Sequence, residues 1–94
     1  MSIASGQPSF TDKQGQYLAF IYAYMRVQGR PPAEADLQRY FRVTPPTVHQ
    51  MILALERHTF IRRTPGAARS IELLVTPELL PVLREPIKTS VRSY

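Results

Sequence analysis

The chain has 94 residues, is 44% hydrophobic, contains no cysteine and carries a formal charge of +5. That length suits one compact domain with a modest core, and the missing cysteines exclude disulfides, thiolate metal sites and cysteine nucleophiles. No apolar run nears the roughly 18 residues of a membrane span, and residues 1–9 lack the basic-then-apolar layout of a secretory leader, so a cytoplasmic location is expected.

The expected organisation is a flexible arm over 1–9, one domain over 10–75, and a tail over 76–94 with a short docked turn before a loose end. At Thr11 a capping box opens the first helix, with Gln14 placed to reach back to the Thr11 amide. The helix is expected to run to Val27 or Gln28, stopped by Gly29 and kept from resuming by Pro31 and Pro32. Tyr17, Leu18, Phe20, Ile21, Tyr24 and Met25 form one broad apolar face, widened by Tyr22. This is a core helix, and its surplus aromatic surface also offers a homodimer contact through Leu18 and Tyr22.

A short second helix is expected from Ala33 to Tyr40 or Phe41. Leu37, Tyr40 and Phe41 form its inner side, while Glu34, Asp36, Gln38 and Arg39 face water. Thr44 is a good N-cap and Pro45 suits the first helical position, so a third helix follows to Arg57 or His58. Val48, Met51, Ile52 and Leu55 share its core side; Pro46, Thr47, His49, Gln50, Leu53 and Arg57 lie opposite. A tight turn between two helices, the second with a polar outer face, is the helix-turn-helix pattern. Residues 60–63 and 70–74 then alternate as strands around a Pro65-Gly66 turn. Ile61, Ile71 and Leu73 point inward, and Arg62 and Glu72 share the solvent face. The expected fold is α+β, mostly α: a three-helix winged helix-turn-helix with a C-terminal two-stranded β-hairpin wing.

A basic surplus favours polyanions, nucleic acid before anionic membranes. Its distribution sharpens this, because Arg57, Arg62, Arg63 and Arg69 lie in one stretch without an acid. The candidate partner is double-stranded DNA, with phosphates giving affinity and base edges giving specificity. Gln50 can pair bidentately with adenine, His49 can donate to guanine or a phosphate, and Thr47 can offer its hydroxyl or methyl. The competing view of His49 and Gln50 is a solvated helix face, and Leu53 is read as exposed filler before a thymine contact. Prolines 45 and 46 delete two of the amides that hold phosphates at helix N-termini, so Arg42, Arg57, Arg63 and Arg69 are the candidate phosphate and wing contacts. Arg62 is at least as suited to a cross-strand pair with Glu72.

His49 and His58 have no carboxylate or third ligand near them in sequence, so no metal is expected. No cofactor or small-molecule ligand is indicated, and no nucleophile, base and acid assemble into a catalytic set. A protein-interaction module built on the same scaffold is the alternative to a DNA binder. RNA or single-strand binding would need aromatic platforms beside the wing, where Phe60 stands alone.

Phe10 to Leu74 resembles the N-terminal DNA-binding domain of the LexA repressor family. The resemblance rests on Gly29-Arg30-Pro31-Pro32, Ala35-Asp36-Leu37, Thr44-Pro45, Leu55, Arg57 and Ile61, then Gly66-Ala67-Ala68-Arg69, Ile71 and Leu73-Leu74. It implies a winged helix-turn-helix that regulates transcription. The family also has a C-terminal domain with a serine-lysine self-cleavage dyad and the main dimer interface. With Tyr94 last, the expectation is a binder without that domain. The family reads its operator with Ser, Asn, Ala, Glu and Glu along the third helix. The matching residues here are Thr44, Pro46, Thr47, His49 and Gln50, which implies a different operator.

Overall fold

In the computed structural model, which describes residues 9–84, the first helix starts where its capping box does. The Thr11 hydroxyl accepts the Gln14 N–H at 3.1 Å, and the Gln14 side chain accepts the Thr11 N–H at 2.9 Å. Helix α1 spans Asp12–Gln28 and ends on left-handed Gly29. Helix α2 spans Glu34–Phe41. Its first residue is preceded by Ala33, which has no side-chain acceptor, so the Asp36 carboxylate accepts the Ala33 N–H instead at 2.8 Å. The helix stops at Arg42, whose φ of 57° and ψ of 50° turn the chain left-handed. Two residues later Thr44 caps α3, Pro45–Arg57. These bounds match the sequence expectations. Residues 1–8 of the arm expected over 1–9, and the expected loose end over 85–94, lie outside the described residues.

Helix α3 closes with the Phe60 N–H donating to the Leu55 carbonyl at 2.9 Å, the six-to-one bond of a Schellman end. Thr59 takes the left-handed place at φ 60°, where glycine is usual and a β-branched residue is strained. Strands β1, Ile61–Arg62, and β2, Glu72–Leu73, pair antiparallel with Ile61 opposite Leu73 and Arg62 opposite Glu72. The ladder is far shorter than the alternation over 60–63 and 70–74 suggests. A serine continues it: Ser70 Oγ accepts the Thr64 N–H at 3.0 Å and donates to the Thr64 carbonyl at 3.2 Å. Ala67 N–H reaches the Thr64 carbonyl at 3.1 Å, closing a turn with Pro65 at its second position. Gly66, at φ 78°, fills the third, where a type II turn needs positive φ. Three helices and a C-terminal hairpin make a winged helix-turn-helix.

Leu18, Ile21, Leu37, Val48, Ile52 and Leu55 are completely enclosed, and Ile61, Ile71 and Val75 cap this core from the wing side. Each such aliphatic side chain contributes about 1.5–3 kcal/mol by leaving water. An aromatic layer joins α1 to α2: Tyr17 stacks on Phe41 at 4.2 Å, and Phe20 meets Tyr40 at 4.6 Å. Burial pushes the Tyr17 phenol above its ordinary pKa. Every residue from Gly15 to Ile21 is buried, so the middle of α1 is enclosed all round instead of presenting one face.

Part of that enclosure comes from the segment after the wing. A single 3₁₀ turn at Pro77–Leu79 leads to an extended stretch that lies along α1. Gln16, only 6% exposed, donates through Nε2 to the Val82 carbonyl at 2.9 Å and accepts the Arg84 N–H at 2.8 Å. The Tyr40 hydroxyl donates to the Arg84 carbonyl at 2.8 Å, and Arg84 pairs with Asp12 at 2.6 Å. Gly15 permits this approach, because a Cβ there would sit 3.0 Å from both Phe10 and Pro81. None of the described helices is long and apolar enough to cross a membrane.

Candidate nucleic-acid interface

Helix α3 separates its faces cleanly. Val48, Ile52 and Leu55 are buried, while Thr44, Pro46, Thr47, His49, Gln50 and Arg57 are exposed and Leu53 is partly so. The five residues expected to read bases therefore lie on the solvent side of α3 and its cap. At the cap the Thr44 hydroxyl accepts the Thr47 N–H at 3.4 Å and meets the Thr47 hydroxyl at 2.9 Å. With prolines at the first two helical positions, the end of α3 offers few free amides to an anion. Any anion held nearby needs side-chain cations.

Two of the four candidate cations stand open to solvent. Arg42 and Arg57 are exposed and have no partner among the described residues. Arg63 and Arg69 do not stand free: each is held by carboxylates of the protein itself. Arg63 donates through Nε at 3.3 Å and Nη2 at 2.9 Å to Glu56 on α3, and through Nη1 at 3.4 Å to Glu34 on α2. Arg69 takes a left-handed backbone, φ 54°. Its Nη1 donates to the Tyr24 hydroxyl at 3.1 Å, the Pro31 carbonyl at 3.3 Å and Asp36 at 2.9 Å. The physical reason is the presence of acids outside the basic stretch. Glu34 and Asp36 on α2 and Glu56 on α3 reach into the wing from elements remote in sequence or a turn away. Arg62 pairs with Glu72 at 2.8 Å, as the cross-strand register requires.

Asp36 was expected to face water but is 8% exposed. Burial works against its ionisation, yet the Ala33 N–H, the Arg69 guanidinium and the Tyr24 hydroxyl outweigh it and hold the carboxyl below the usual aspartate range. It also pairs with Arg39. The Tyr24 hydroxyl, with Asp36 behind it, holds Arg69 charged more firmly than an ordinary arginine. One carboxylate thus caps α2 and fastens the wing.

Glu34 is the residue that sequence reasoning missed. It was assigned to water as a first-turn acid, yet its carboxylate lies 3.3 and 3.4 Å from His49 Nδ1 as well as against Arg63. His49 therefore does have a carboxylate neighbour, 15 residues away in sequence. The available signal was the tight turn between α2 and α3, which brings the two helices of the motif into contact. No group of three His, Cys, Asp or Glu among the described residues is placed to hold a metal ion.

The proposed dimer pair also divides. Leu18 is fully buried in the core, so it has no surface to offer a second chain. Tyr22 is partly exposed; its hydroxyl accepts from Arg26 at 3.2 Å, and the guanidinium lies 5.7 Å from its ring. With Met25, Arg26, Glu72, Leu73, Val75 and Pro77 it lines a shallow groove of about 370 Å³.

Residues 7–70 match the LexA DNA binding domain family. The chain is 35% identical over 81 residues to a LexA repressor of Thermosipho africanus, an alignment covering 86% of this chain and 39% of that protein. It is 38% identical over 74 residues to a LexA repressor of Thermosipho melanesiensis, covering 77% and 37%. With a LexA repressor of Bartonella quintana the identity is 38% over 69 residues, covering 72% and 29%. The chain thus spans under two-fifths of the length of these relatives. Fold, cap, turn and matched residues agree: this chain belongs to the LexA DNA-binding domain family.

Proposed function

We propose that the chain is a sequence-specific double-stranded DNA binder that regulates transcription in the cytoplasm, as a repressor. The observation that carries this reading is the polar face of α3 within a matched LexA DNA binding domain. Helix α3 enters the major groove, where Gln50 pairs with adenine and His49, Thr47 and the cap at Thr44 and Pro46 shape the remaining contacts. Arg42 and Arg57 hold phosphates on either side. The wing, fixed by Arg63 and Arg69, lies along the backbone or minor groove. Two copies, meeting at the Tyr22 groove, would occupy half-sites about 34–36 Å apart or a multiple of that spacing.

Selection of bound duplexes from a random pool at two salt concentrations tests the reading. The expected result is a defined motif and an affinity that falls steeply with salt. Salt-insensitive binding without a motif overturns it and favours a protein-interaction module. A symmetric motif, with a dimer in sedimentation, supports pairing; a single half-site and a monomer remove it.

A further inference from the structure

The geometry points to Glu34 as a positioning residue that fixes the tautomer of His49, so that His49 presents a bare Nε2 acceptor to the DNA and selects an amino-bearing base. This inference rests on the proposed reading of DNA by α3 and names what one position of that reading recognises.

A neutral imidazole has one N–H and one bare nitrogen, and the partner of one decides the character of the other. Both oxygens of the Glu34 carboxylate lie 3.3–3.4 Å from His49 Nδ1. An ionised carboxylate has only acceptors, so in the neutral ring the proton must sit on Nδ1 for this contact to be attractive, and Nε2 is then bare. Free imidazole side chains favour the other tautomer, and the carboxylate supplies the bias against that preference. Glu34 is itself fixed, because Arg63 donates to its Oε2 at 3.4 Å while also gripping Glu56. The arrangement therefore spans α2, α3 and the wing. The side chain of His49 is 52% exposed, which leaves its other ring nitrogen available.

The consequence for recognition follows from the donor and acceptor pattern of the major groove. Adenine N6 and cytosine N4 donate there, whereas guanine O6 and N7 and thymine O4 accept. A bare Nε2 pairs with the first two and repels the second two. This reverses the expectation from sequence alone, in which His49 donates to guanine. It also makes Glu34, which need not touch DNA, a determinant of specificity at one base position.

Two measurements test it. In the free protein, long-range nitrogen-proton NMR of the imidazole, at a pH where the ring shifts report the neutral form, is expected to show Nδ1–H. A ring protonated on Nε2 overturns the inference. Selection of duplexes is then repeated with Glu34→Ala, Glu34→Gln and His49→Ala. Wild type should prefer adenine or cytosine over guanine or thymine at one position by fivefold or more. His49→Ala should erase that preference, Glu34→Ala should shift it toward guanine, and Glu34→Gln should retain it, because its amide oxygen still accepts. An unchanged preference in Glu34→Ala, in a protein whose amide spectrum remains folded, overturns the proposal while leaving DNA reading intact. Loss of any motif in the wild type removes the DNA reading itself, and the NMR result stands apart from it.

Discussion

The outer face of α3 and the wing carry similar side chains and use them oppositely. On α3 and its approach, Gln50, Arg42 and Arg57 stand in solvent without protein partners among the described residues. On the wing, Arg62, Arg63 and Arg69 each meet a carboxylate of the protein. The first region is open to solvent, and the second is fastened to its own domain. Density of arginine along a sequence is therefore a poor guide to which side chains stand free. What matters is whether acids arrive to neutralise it, and here they arrive from α2, the end of α3 and, for Arg62, the facing strand β2.

The sharpest way to break this contrast is at Asp36. Asp36→Ala removes the α2 cap and leaves Arg69 without its carboxylate, and is expected to cost roughly 2–4 kcal/mol, read as a lowered midpoint in denaturant. The same carboxylate predicts the pH dependence. Its folded pKa is depressed, so its contribution is complete above the ordinary aspartate range, near 3.9, and is lost as pH falls through the lower folded value. In acid the gap in stability between wild type and Asp36→Ala should narrow as pH falls; a gap that does not change with pH would assign the effect to packing.

Gln50→Ala comes next. It should relax base preference at one or two positions by about 1–3 kcal/mol while sparing binding to random duplex. A motif identical to wild type would remove Gln50 from the reading face. Arg57→Ala and Arg69→Ala form a matched pair. The first is expected to weaken all duplexes alike and reduce the salt slope by about one unit. The second should leave the slope unchanged and lower thermal stability. If both reduce the slope equally, the division between the two regions fails. The smallest effect belongs to Arg62→Ala, a solvent-exposed cross-strand pair worth at most about 1 kcal/mol.

The helices were legible because their boundaries are written in local chemistry. Thr11 with Gln14, Thr44 with Pro45, and Gly29 each act within one turn of themselves. The left-handed stops at Arg42 and Thr59 carry no such mark, since neither residue favours that conformation on its own. The contacts that distinguish the wing from α3 were illegible for a different reason. Glu34 and Asp36 lie 29 and 33 residues from the wing arginines they bind, and spacing along a chain does not encode which exposed-looking acid folds inward. Leu18 shows the same limit: its helical face and a docked turn after the wing were expected, but not how completely the middle of α1 is enclosed.

That segment is held by a device with its own consequence. Gln16 addresses two peptide groups, one carbonyl and one N–H two residues apart, as a neighbouring strand would. It recognises backbone, so this part of the path is fixed without regard to the side chain at position 82. Val82 shows the freedom, being 84% exposed. Residue 84 shows the limit: a proline there would lack the N–H that Gln16 accepts, and the docked stretch would lose one of its two anchors on that side chain.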